Sequence, residues 1–413
     1  MKAILSNKES VYPDISRSKI TITGSKSITN RLLLLQAFFP NISIENISNS
    51  DDTSLLIKGL RVTNGVVDVH HSGTAFRFLT AYFASQKGIN ITLTGSKRMQ
   101  ERPIKILVEA LKELGAKIQY LKKEGFPPLQ IHGKKLLGNT LKIKANISSQ
   151  YITALMLIAP SLLRGLKIKL DKDSTSRSYI KMTFSLLQKT GISCRYFEND
   201  IVIDPINKIN DTVIFVESDW SSASYFYSII ALSENKSITL KNFVKNSLQG
   251  DSVVVSIYKT LGVNTTFNDI DKSITLRKSK IKIPNQLSLD LKNTPDIAQT
   301  IAITCFGLGI SCKIIGLQTL KIKETDRLLA LKIELEKLGA EIKITTDSFY
   351  LESSDKINKN ITIDTYQDHR LAMAFMPIAL KTAIKINDPN VVSKSYPNFW
   401  KDVVKAGLNV QIK

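Results

Sequence analysis

A short pattern recurs along the chain: apolar residues at helical spacing, then a glycine, then the beginning of an apolar strand. The sequence LKELGAKI at 111–118 returns as LEKLGAEI at 335–342, and YKTLGVNT at 258–265 has the same form. Each copy predicts a helix that ends at a glycine in the left-handed conformation and is followed at once by a strand. The glycines of the pattern are Gly65, Gly115, Gly191, Gly262, Gly339 and Gly407. These repeats predict two lobes, each built from three similar units.

Alternating apolar residues mark strands between the predicted helices. Examples are INITLTG at 89–95, LKIKLD at 166–171 and NITIDT at 360–365. A period of two is typical of half-buried strands. Because strand and helix alternate along the whole chain, the pattern predicts an α/β or mixed α+β fold. A chain of 413 residues is also too long for one ordinary core, so two domains are expected.

Several predicted helices begin with small hydroxylated residues and a cation. The sequence GSKSITNR at 24–31 places Lys26 and Arg31 at the start of a leucine-rich helix. Helix N-termini expose unpaired N–H groups and a positive dipole end, so this arrangement predicts an anion site. It lacks the second glycine of the nucleotide P-loop, and a serine N-cap followed by a solvated lysine is the alternative interpretation. Further starts of this kind predict that several positive helix ends face a shared cleft between the lobes.

The charge raises a second class of function. The formal net charge is +21, as in a basic nucleic-acid-binding protein. The lysines, however, are spread through segments such as LKIELEKLGAEIKI at 331–344, and no nucleic-acid-binding motif accompanies them. The charge therefore favours acidic small molecules as partners, with a non-catalytic nucleic-acid-binding protein as the alternative.

The cysteines, the histidines and the apolar stretches argue against a disulfide-rich, metal-binding, secreted or membrane protein. The three cysteines have no C-x-x-C spacing, and His70 and His71 have no second cluster of ligands beside them, so neither a disulfide framework nor a metal site is expected. The N-terminus lacks the apolar core of a signal peptide, and the longest apolar stretches are too short for a bilayer. The cytoplasm is the expected location.

The order of short motifs resembles one known family. The motifs are GSKSITNR, SDDT, SGTAFRFL, LTGSKRMQERPI, SSQYITALMLIAP, SRSYI, SDWSSASYF, TPDIAQT, KETDRLLAL, DHRLAM and SKSYPNFW. This series resembles the EPSP synthase family (5-enolpyruvylshikimate-3-phosphate synthase, or 3-phosphoshikimate 1-carboxyvinyltransferase) of the enolpyruvyl transferases. The resemblance implies an inside-out α/β barrel of two lobes with three βαβαββ-type units each. It implies that residues 1–24 with 219–413 form the C-terminal lobe and 25–218 the N-terminal lobe, with the active site in the cleft between them.

The resemblance also implies a reaction. In this family the enolpyruvyl group of phosphoenolpyruvate passes to the 5-hydroxyl of shikimate 3-phosphate by addition and elimination. The products are EPSP and inorganic phosphate, on the shikimate pathway to chorismate and the aromatic amino acids. The family implies no cofactor, no metal, no nucleic acid and no membrane partner, and a monomer. The alternative is the sister family, UDP-N-acetylglucosamine enolpyruvyl transferase, which carries a cysteine in the loop that corresponds here to GSKRMQERP at 95–103, where this chain has none.

Site residues follow from the resemblance, motif by motif. The two substrates bring four anionic groups together, and such groups repel one another unless cations lie between them. For phosphoenolpyruvate the implied contacts are Lys26, Gly73, Arg102, Gln150, Arg327, Arg370 and Lys394, with Arg77 behind them. For shikimate 3-phosphate they are Lys26, Ser27, Arg31, Ser148, Ser149, Gln150, Ser176, Tyr179, Asp296 and Lys323. The implied catalytic residues are Glu324 as acid and base at carbon, Asp296 as acceptor of the hydroxyl proton, and Lys26 as a second candidate for proton transfer or for stabilising the departing phosphate.

Each motif alone has a plainer interpretation. KETDR can be an exposed helix start with ion pairs, and in DHR the histidine can be a core residue and Asp368 a helix cap. Asp51 and Asp52 of SDDT are interpreted as a capping and hinge element. The chain also departs from the family where His71 and Ser72 replace a usual Asn-Ala pair and Phe78 replaces a frequent proline. Gly73 is retained, which in the family accompanies binding of the herbicide glyphosate, and the Phe78 substitution leaves sensitivity open.

Overall fold

The computed structural model describes residues 1–6, 18–143, 148–171, 177–234 and 237–413. Their contacts divide the chain into two compact units. The N-terminal unit is Gly24–Val216, and the composite unit is Met1–Thr23 together with Glu217–Lys413. The lobe boundaries implied by the sequence, after residues 24 and 218, lie beside these divisions. Within the described residues, no helix combines the length and the apolar character that a membrane crossing needs.

The strands are short and are distributed along the whole chain. They are β1 (Lys2–Ser6), β2 (Ser18–Thr21), β3 (Ile42–Glu45), β4 (Asn64–Asp68), β5 (Asn90–Thr94), β6 (Lys117–Tyr120), β7 (Leu129–His132), β8 (Thr140–Ile143), β9 (Leu166–Leu170), β10 (Cys194–Phe197), β11 (Asp200–Ile203), β12 (Thr212–Phe215), β13 (Ser237–Lys241), β14 (Val263–Asn268), β15 (Ser273–Lys278), β16 (Gln286–Asp290), β17 (Ser311–Ile315), β18 (Ile342–Ile344), β19 (Phe349–Leu351), β20 (Ile361–Ile363), β21 (Ile384–Asn387) and β22 (Asn409–Ile412). The alternating segments INITLTG, LKIKLD and NITIDT form β5, β9 and β20, as predicted.

Helices alternate with these strands. They are α1 (Lys26–Phe38), α2 (Asp51–Leu60), α3 (Gly73–Ser85), α4 (Lys97–Gln100), α5 (Lys105–Glu113), α6 (Ser149–Ile158), α7 (Arg177–Lys189), α8 (Trp220–Leu232), α9 (Val254–Thr260), α10 (Ala298–Gly307), α11 (Arg327–Lys337), α12 (His369–Phe375) and α13 (Phe399–Lys405). Short 3₁₀ turns at Gly250–Val253 and Pro295–Ile297 lead into α9 and α10.

One sheet topology repeats through both units. Each four-stranded sheet contains one parallel pair of strands and two further strands that add antiparallel. A helix connects the parallel pair in four of these sheets, whereas the whole N-terminal unit lies between β2 and β13 in the chain. The orders are β4-β5-β7-β6 and β10-β11-β9-β8 in the N-terminal unit, and β14-β15-β13-β2, β16-β17-β19-β18 and β20-β21-β1-β22 in the composite unit. The parallel pair β12-β3 completes the N-terminal unit. The predicted α/β class and repeated βαβαββ units are confirmed.

The repeat glycines occupy the predicted backbone conformation. All six have positive φ, between 82° at Gly191 and 106° at Gly65. Five of them follow the ends of α5, α7, α9, α11 and α13 and precede a strand, as predicted. Gly65 differs, because it lies inside β4 rather than at the end of α2. A side chain at such φ costs roughly 1–2 kcal/mol, which explains why glycine marks each helix-to-strand turn.

Helices lie inside each unit and sheets lie outside. Every residue of α8 and of α10 is buried; these two helices pack on each other, and α10 also packs on α12. In the N-terminal unit α6 packs on α3 and α7 in the same way. A helix that is apolar all round belongs in a core. Polar residues stand in the first turns of these helices, among them Ser221 in α8, Gln299 in α10 and Gln150 in α6. Many of the candidate site residues lie at helix starts of this kind.

Candidate active site

The first turn of α1 carries Lys26, whose ammonium pairs with a carboxylate. Nζ of Lys26 lies 3.0 Å from Oδ2 of Asp52, and both side chains are largely buried. Asp52 lies in the first turn of α2, and Ser50 rather than either aspartate caps that helix, accepting from the Thr53 N–H at 3.3 Å. The interpretation of Asp52 as a capping residue is therefore wrong. The alternative of a solvated lysine at position 26 is also wrong.

Arg31 lies one turn further along α1 and is fully enclosed. Its Nε donates to Thr183 Oγ1 at 2.8 Å, and Nη1 donates to the Ser27 carbonyl at 2.7 Å. The guanidinium carbon lies 5.8 Å from the centre of the Phe78 ring and 5.6 Å from that of Tyr179. Burial lowers the pKa of Arg31 to about 10, so the group stays charged at neutral pH. Phe78, the departure from the family pattern, is thus part of the wall around this cation.

The N-terminus of α3 is where Gly73 meets two arginines. Arg77 donates from Nη1 to the Gly73 carbonyl at 3.2 Å and from Nη2 to the Pro103 carbonyl at 3.0 Å. Arg102, in the turn after α4, lies against Gly73 so closely that a Cβ there would be 2.5 Å from its Nη1. The absence of a side chain at position 73 therefore makes room for the Arg102 guanidinium.

The start of α6 supplies neutral donors. Ser148 caps this helix, accepting from the Gln150 N–H at 3.4 Å, and Ser149 is its first residue. The side-chain amide of Gln150 donates to Thr74 Oγ1 at 3.1 Å, which links α6 to the first turn of α3. Tyr179 lies in the first turn of α7. Ser176 lies outside the described residues.

In the composite unit, one buried arginine holds three carboxylates. Arg327, the first residue of α11, is 2% exposed. Its Nε lies 2.6 Å from Oδ2 of Asp368, Nη1 lies 3.1 Å from Oδ1 of Asp296, and Nη2 lies 2.9 Å from Oε2 of Glu324. Burial disfavours the cation, but Asp368, Glu324 and Asp296 outweigh it and raise the pKa of Arg327. The two carboxylates predicted to move protons thus share one guanidinium.

Two lysines complete this cluster. Lys394 lies 2.5 Å from Oε1 of Glu324, so that carboxylate has a cation on each oxygen. Lys323 lies 3.7 Å from Oδ1 of Asp296. Asp296 sits on the 3₁₀ turn that precedes α10, and Glu324 lies just before α11, whose N-cap is Asp326. These helix starts place the carboxylates beside the cations rather than in the apolar core.

Arg370 lies in the first turn of α12 and contacts Asp296 from a second side. Its Nη2 is 3.2 Å from Oδ2 of Asp296, and Nη1 donates to the Asp296 carbonyl at 3.1 Å. Asp368 caps α12, accepting from the Arg370 N–H at 2.8 Å. The cap role predicted for Asp368 is confirmed, and the sequence does not show its second role as the buried partner of Arg327. His369, between them, is buried, as the core interpretation of DHR predicts.

Similarity to known proteins identifies the family to which this chain belongs. A model of the family described as EPSP synthase (3-phosphoshikimate 1-carboxyvinyltransferase) matches residues 58–403. A 3-phosphoshikimate 1-carboxyvinyltransferase of Bacteroides fragilis (strain YCH46) is 43% identical over 405 residues, covering 97% of this chain and 98% of the relative. The chain belongs to the EPSP synthase family.

Other members of the EPSP synthase family are more distant but equally complete. The 3-phosphoshikimate 1-carboxyvinyltransferase of Colwellia psychrerythraea is 34% identical over 414 residues, covering 92% of this chain and 95% of the relative. A solved structure of EPSP synthase from Acinetobacter baumannii superposes with a TM-score of 0.77 at 21% identity, over all of both chains. That likeness confirms the fold implied by the motif series.

The EPSP synthase motifs name the cations together with Asp296 and Glu324, but they do not show that Asp52 and Asp368 also pair with cations. Lys26, Arg327 and Arg370 lie in first turns of helices. Arg31 and Arg77 lie about one turn further along their helices, and Lys394 ends the 3₁₀ helix Pro389–Lys394. The carboxylates Asp52, Asp251 and Asp368 also stand in quoted motifs or beside predicted helix starts, yet only capping or no role was assigned to them. Asp251, in the 3₁₀ turn before α9, is 5% exposed and accepts a hydrogen bond from the Ser221 hydroxyl. A Gly-Asp pair at a helix start gives no signal of such burial.

Proposed function

We infer that this chain transfers the enolpyruvyl group of phosphoenolpyruvate to the 5-hydroxyl of shikimate 3-phosphate, releasing inorganic phosphate. The observation that carries this function is the shared guanidinium of Arg327, which holds Asp296 and Glu324 within hydrogen-bonding distance of one group. Family membership and the printed activity of the relatives support the same reaction. The sister reaction with UDP-N-acetylglucosamine has no such support.

We propose that the anionic groups of phosphoenolpyruvate take the place of protein carboxylates beside the cations of the site. Arg370 lies 3.2 Å from Oδ2 of Asp296, and Lys394 lies 2.5 Å from Oε1 of Glu324. Both cations therefore already contact acidic groups, as they would contact a phosphate or a carboxylate of the substrate. Planar guanidinium groups suit bidentate contacts with such anions. The proposed contacts are Lys26, Gly73, Arg102, Gln150, Arg327, Arg370 and Lys394. Gly73 contributes by its missing side chain, which lets Arg102 approach.

Shikimate 3-phosphate is proposed to bind a second set of residues. Arg31 is charged and enclosed, which suits a carboxylate, and the hydroxyl groups at the starts of α6 and α7 suit a phosphate and ring hydroxyls. The proposed contacts are Lys26, Ser27, Arg31, Ser148, Ser149, Gln150, Ser176, Tyr179, Asp296 and Lys323. Lys26 belongs to both sets, as the family motif implies.

Proton transfer is assigned to the carboxylates around Arg327. Asp296 accepts the proton of the attacking 5-hydroxyl as the new carbon–oxygen bond forms. Glu324 donates a proton to the methylene carbon of phosphoenolpyruvate and takes one back from the resulting methyl group as the carbon–oxygen bond to phosphate breaks. Lys26 stabilises the charge that develops on the departing phosphate or shares in the proton transfer.

We also propose that the protein is a monomer and that it works in the cytoplasm. Sedimentation analysis tests the first property, and cell fractionation tests the second.

Phosphate release separates the two transferases directly. The purified chain is incubated with phosphoenolpyruvate and either shikimate 3-phosphate or UDP-N-acetylglucosamine. Release with shikimate 3-phosphate alone, together with an enolpyruvyl ether of that acceptor detected by mass spectrometry, is the expected result. Release only with the nucleotide sugar, or with neither acceptor, contradicts the proposed function.

A further inference from the structure

A further buried carboxyl group, Asp251, lies beside the proposed phosphoenolpyruvate contacts and has no part in the reaction described above. It is 5% exposed and stands on the 3₁₀ turn Gly250–Val253. The hydroxyl of Ser221, in the first turn of α8, donates a hydrogen bond to Oδ2 of Asp251. A buried carboxyl group needs a compensating partner, and Ser221 supplies a neutral one.

Ser221 connects this carboxyl group to a proposed substrate contact. The Nη2 of Arg370 lies 3.4 Å from Ser221 Oγ and 3.2 Å from Oδ2 of Asp296. The guanidinium therefore stands between the Asp296 carboxylate on one side and the Ser221–Asp251 pair on the other. The Arg370 and Asp296 side chains are each 11% exposed, so solvent screens their charges weakly.

The charges that face Asp251 come from three other elements. Asp296 lies on the turn before α10, Arg370 on α12, and Asp219 at the cap of α8. Burial and then the charge of Asp296 raise the pKa of Asp251 to about 7, against the opposing effect of Arg370 and the Ser221 hydroxyl. Asp251 therefore changes charge near neutral pH while Arg370 remains a cation.

We propose that Asp251 is a positioning residue that acts through Ser221 and sets how strongly Arg370 is available to phosphoenolpyruvate. This inference rests on the proposed function. When Asp251 is neutral, it holds the Ser221 hydroxyl and adds no charge beside Arg370. When it is ionised, its negative charge competes with the anionic groups of the substrate for the same guanidinium. The affinity for phosphoenolpyruvate then falls as the pH rises through neutrality.

The test compares the full-length protein with Asp251→Asn from pH 6 to pH 8.5. Asparagine keeps the size of the side chain and a carbonyl oxygen for Ser221 but never ionises. Two quantities are measured: the KM for phosphoenolpyruvate at saturating shikimate 3-phosphate, and the calorimetric Kd for phosphoenolpyruvate. Over this range both constants are expected to rise about three- to tenfold more in the wild type than in the variant. Equal pH dependence in the two proteins overturns the proposal.

A second pair of variants covers the case in which Asp251→Asn does not fold. Ser221→Ala removes the connecting hydroxyl, and Ser228→Ala removes a buried hydroxyl two turns further along α8, where it contacts Thr304. We expect Ser221→Ala to change the KM for phosphoenolpyruvate at least threefold with little change in the KM for shikimate 3-phosphate, and Ser228→Ala to behave as the wild type. Identical kinetic constants for Ser221→Ala and Ser228→Ala overturn the proposal. A wild type that binds phosphoenolpyruvate without turnover contradicts the proposed function instead, and the calorimetric comparison then decides the role of Asp251.

Discussion

The Arg102 guanidinium lies against the Cα of Gly73, and a Cβ at that position would be 2.5 Å from Nη1 and 2.9 Å from the guanidinium carbon. Gly73→Ala therefore displaces the end of the Arg102 side chain while leaving the backbone of α3 in place. The KM for phosphoenolpyruvate is expected to rise about tenfold or more, because a displaced charged hydrogen bond is worth roughly 1.5–3 kcal/mol. Steady-state kinetics with each substrate varied in turn measures this effect.

The same variant contains its own control. Arg31, the proposed partner of the shikimate 3-phosphate carboxylate, has its contacts with Thr183 and Ser27 rather than with Gly73. The KM for shikimate 3-phosphate should therefore stay within about twofold. A rise in both KM values by the same factor would indicate a general loss of structure and would contradict the local explanation.

Glu324→Gln tests the proton transfer at carbon. Glutamine keeps the length of the side chain and an oxygen for Lys394 or Arg327, so substrate affinity is expected to change little. Turnover is expected to fall by about 10²- to 10⁴-fold, the usual contribution of a general acid–base group. Single-turnover measurements with both substrates saturating report this step directly.

A matched variant separates chemistry from helix structure at the same turn. Asp326 caps α11 two residues after Glu324, accepting from the N–H groups of Leu328 and Leu329 at 3.1 Å each. Asp326→Asn keeps a good capping group, and its turnover should remain within about threefold of the wild type. Loss of turnover in Asp326→Asn as large as in Glu324→Gln would remove the specific role of Glu324.

The fold was predictable wherever its determinants are local. The repeat glycines, the helix cap at Asp368 and the alternating strands are each recognisable within a few residues of sequence. The sheet that joins β1 to β21 and β22 is different, because residue 3 pairs with residues 386 and 412. No local pattern encodes such a pairing. Only the family resemblance, which implies that residues 1–24 belong with residues 219–413, predicts that the first residues pair with the last.

The family motifs name the cations of the candidate site and the carboxylates Asp296 and Glu324, but they do not show that Asp52 and Asp368 pair with cations. A cation in a first turn has a local explanation, since the helix end itself attracts anions. The ion pair of Arg327 with Asp368 joins residues 41 positions apart, and that of Lys26 with Asp52 joins residues 26 apart. Spacing in the sequence does not show which helix starts meet in space, so the neutralising partners became visible only in the structure.

Asp368→Asn tests whether the buried ion pair stabilises the composite unit. Arg327 and Asp368 are 2% and 0% exposed, so removing one charge leaves the other buried and less compensated. The free energy of unfolding is expected to fall by on the order of 3 kcal/mol. Urea denaturation followed by circular dichroism measures the change. Asp364→Asn is the control, because the Asp364–Lys337 pair is 48% and 34% exposed and should contribute less than about 1 kcal/mol.

Asp251 gives the protein a specific pH dependence of stability. The folded state raises the pKa of this carboxyl group from 3.8 to about 7, chiefly by burial. Below about pH 4 both the folded and the unfolded state hold the proton, so the group contributes no difference. As the pH rises from 4 to 7, the unfolded chain releases its proton while the folded protein keeps it, and the free energy of unfolding falls. Above pH 7 this loss stays constant.

Asp251→Asn removes this loss, because asparagine does not titrate. Relative to the wild type, the variant should therefore gain stability between pH 4.5 and pH 7.5 by a few kcal/mol, since each pKa unit corresponds to about 1.4 kcal/mol. Urea denaturation of both proteins at a series of pH values gives the difference directly. Asp355→Asn, at an exposed carboxylate, serves as the reference for the loss of one negative charge. A difference between Asp251→Asn and wild type that stays constant over this pH range would show that Asp251 ionises equally in both states, and Ser221 would then hold a carboxylate throughout the range from pH 4.5 to pH 7.5.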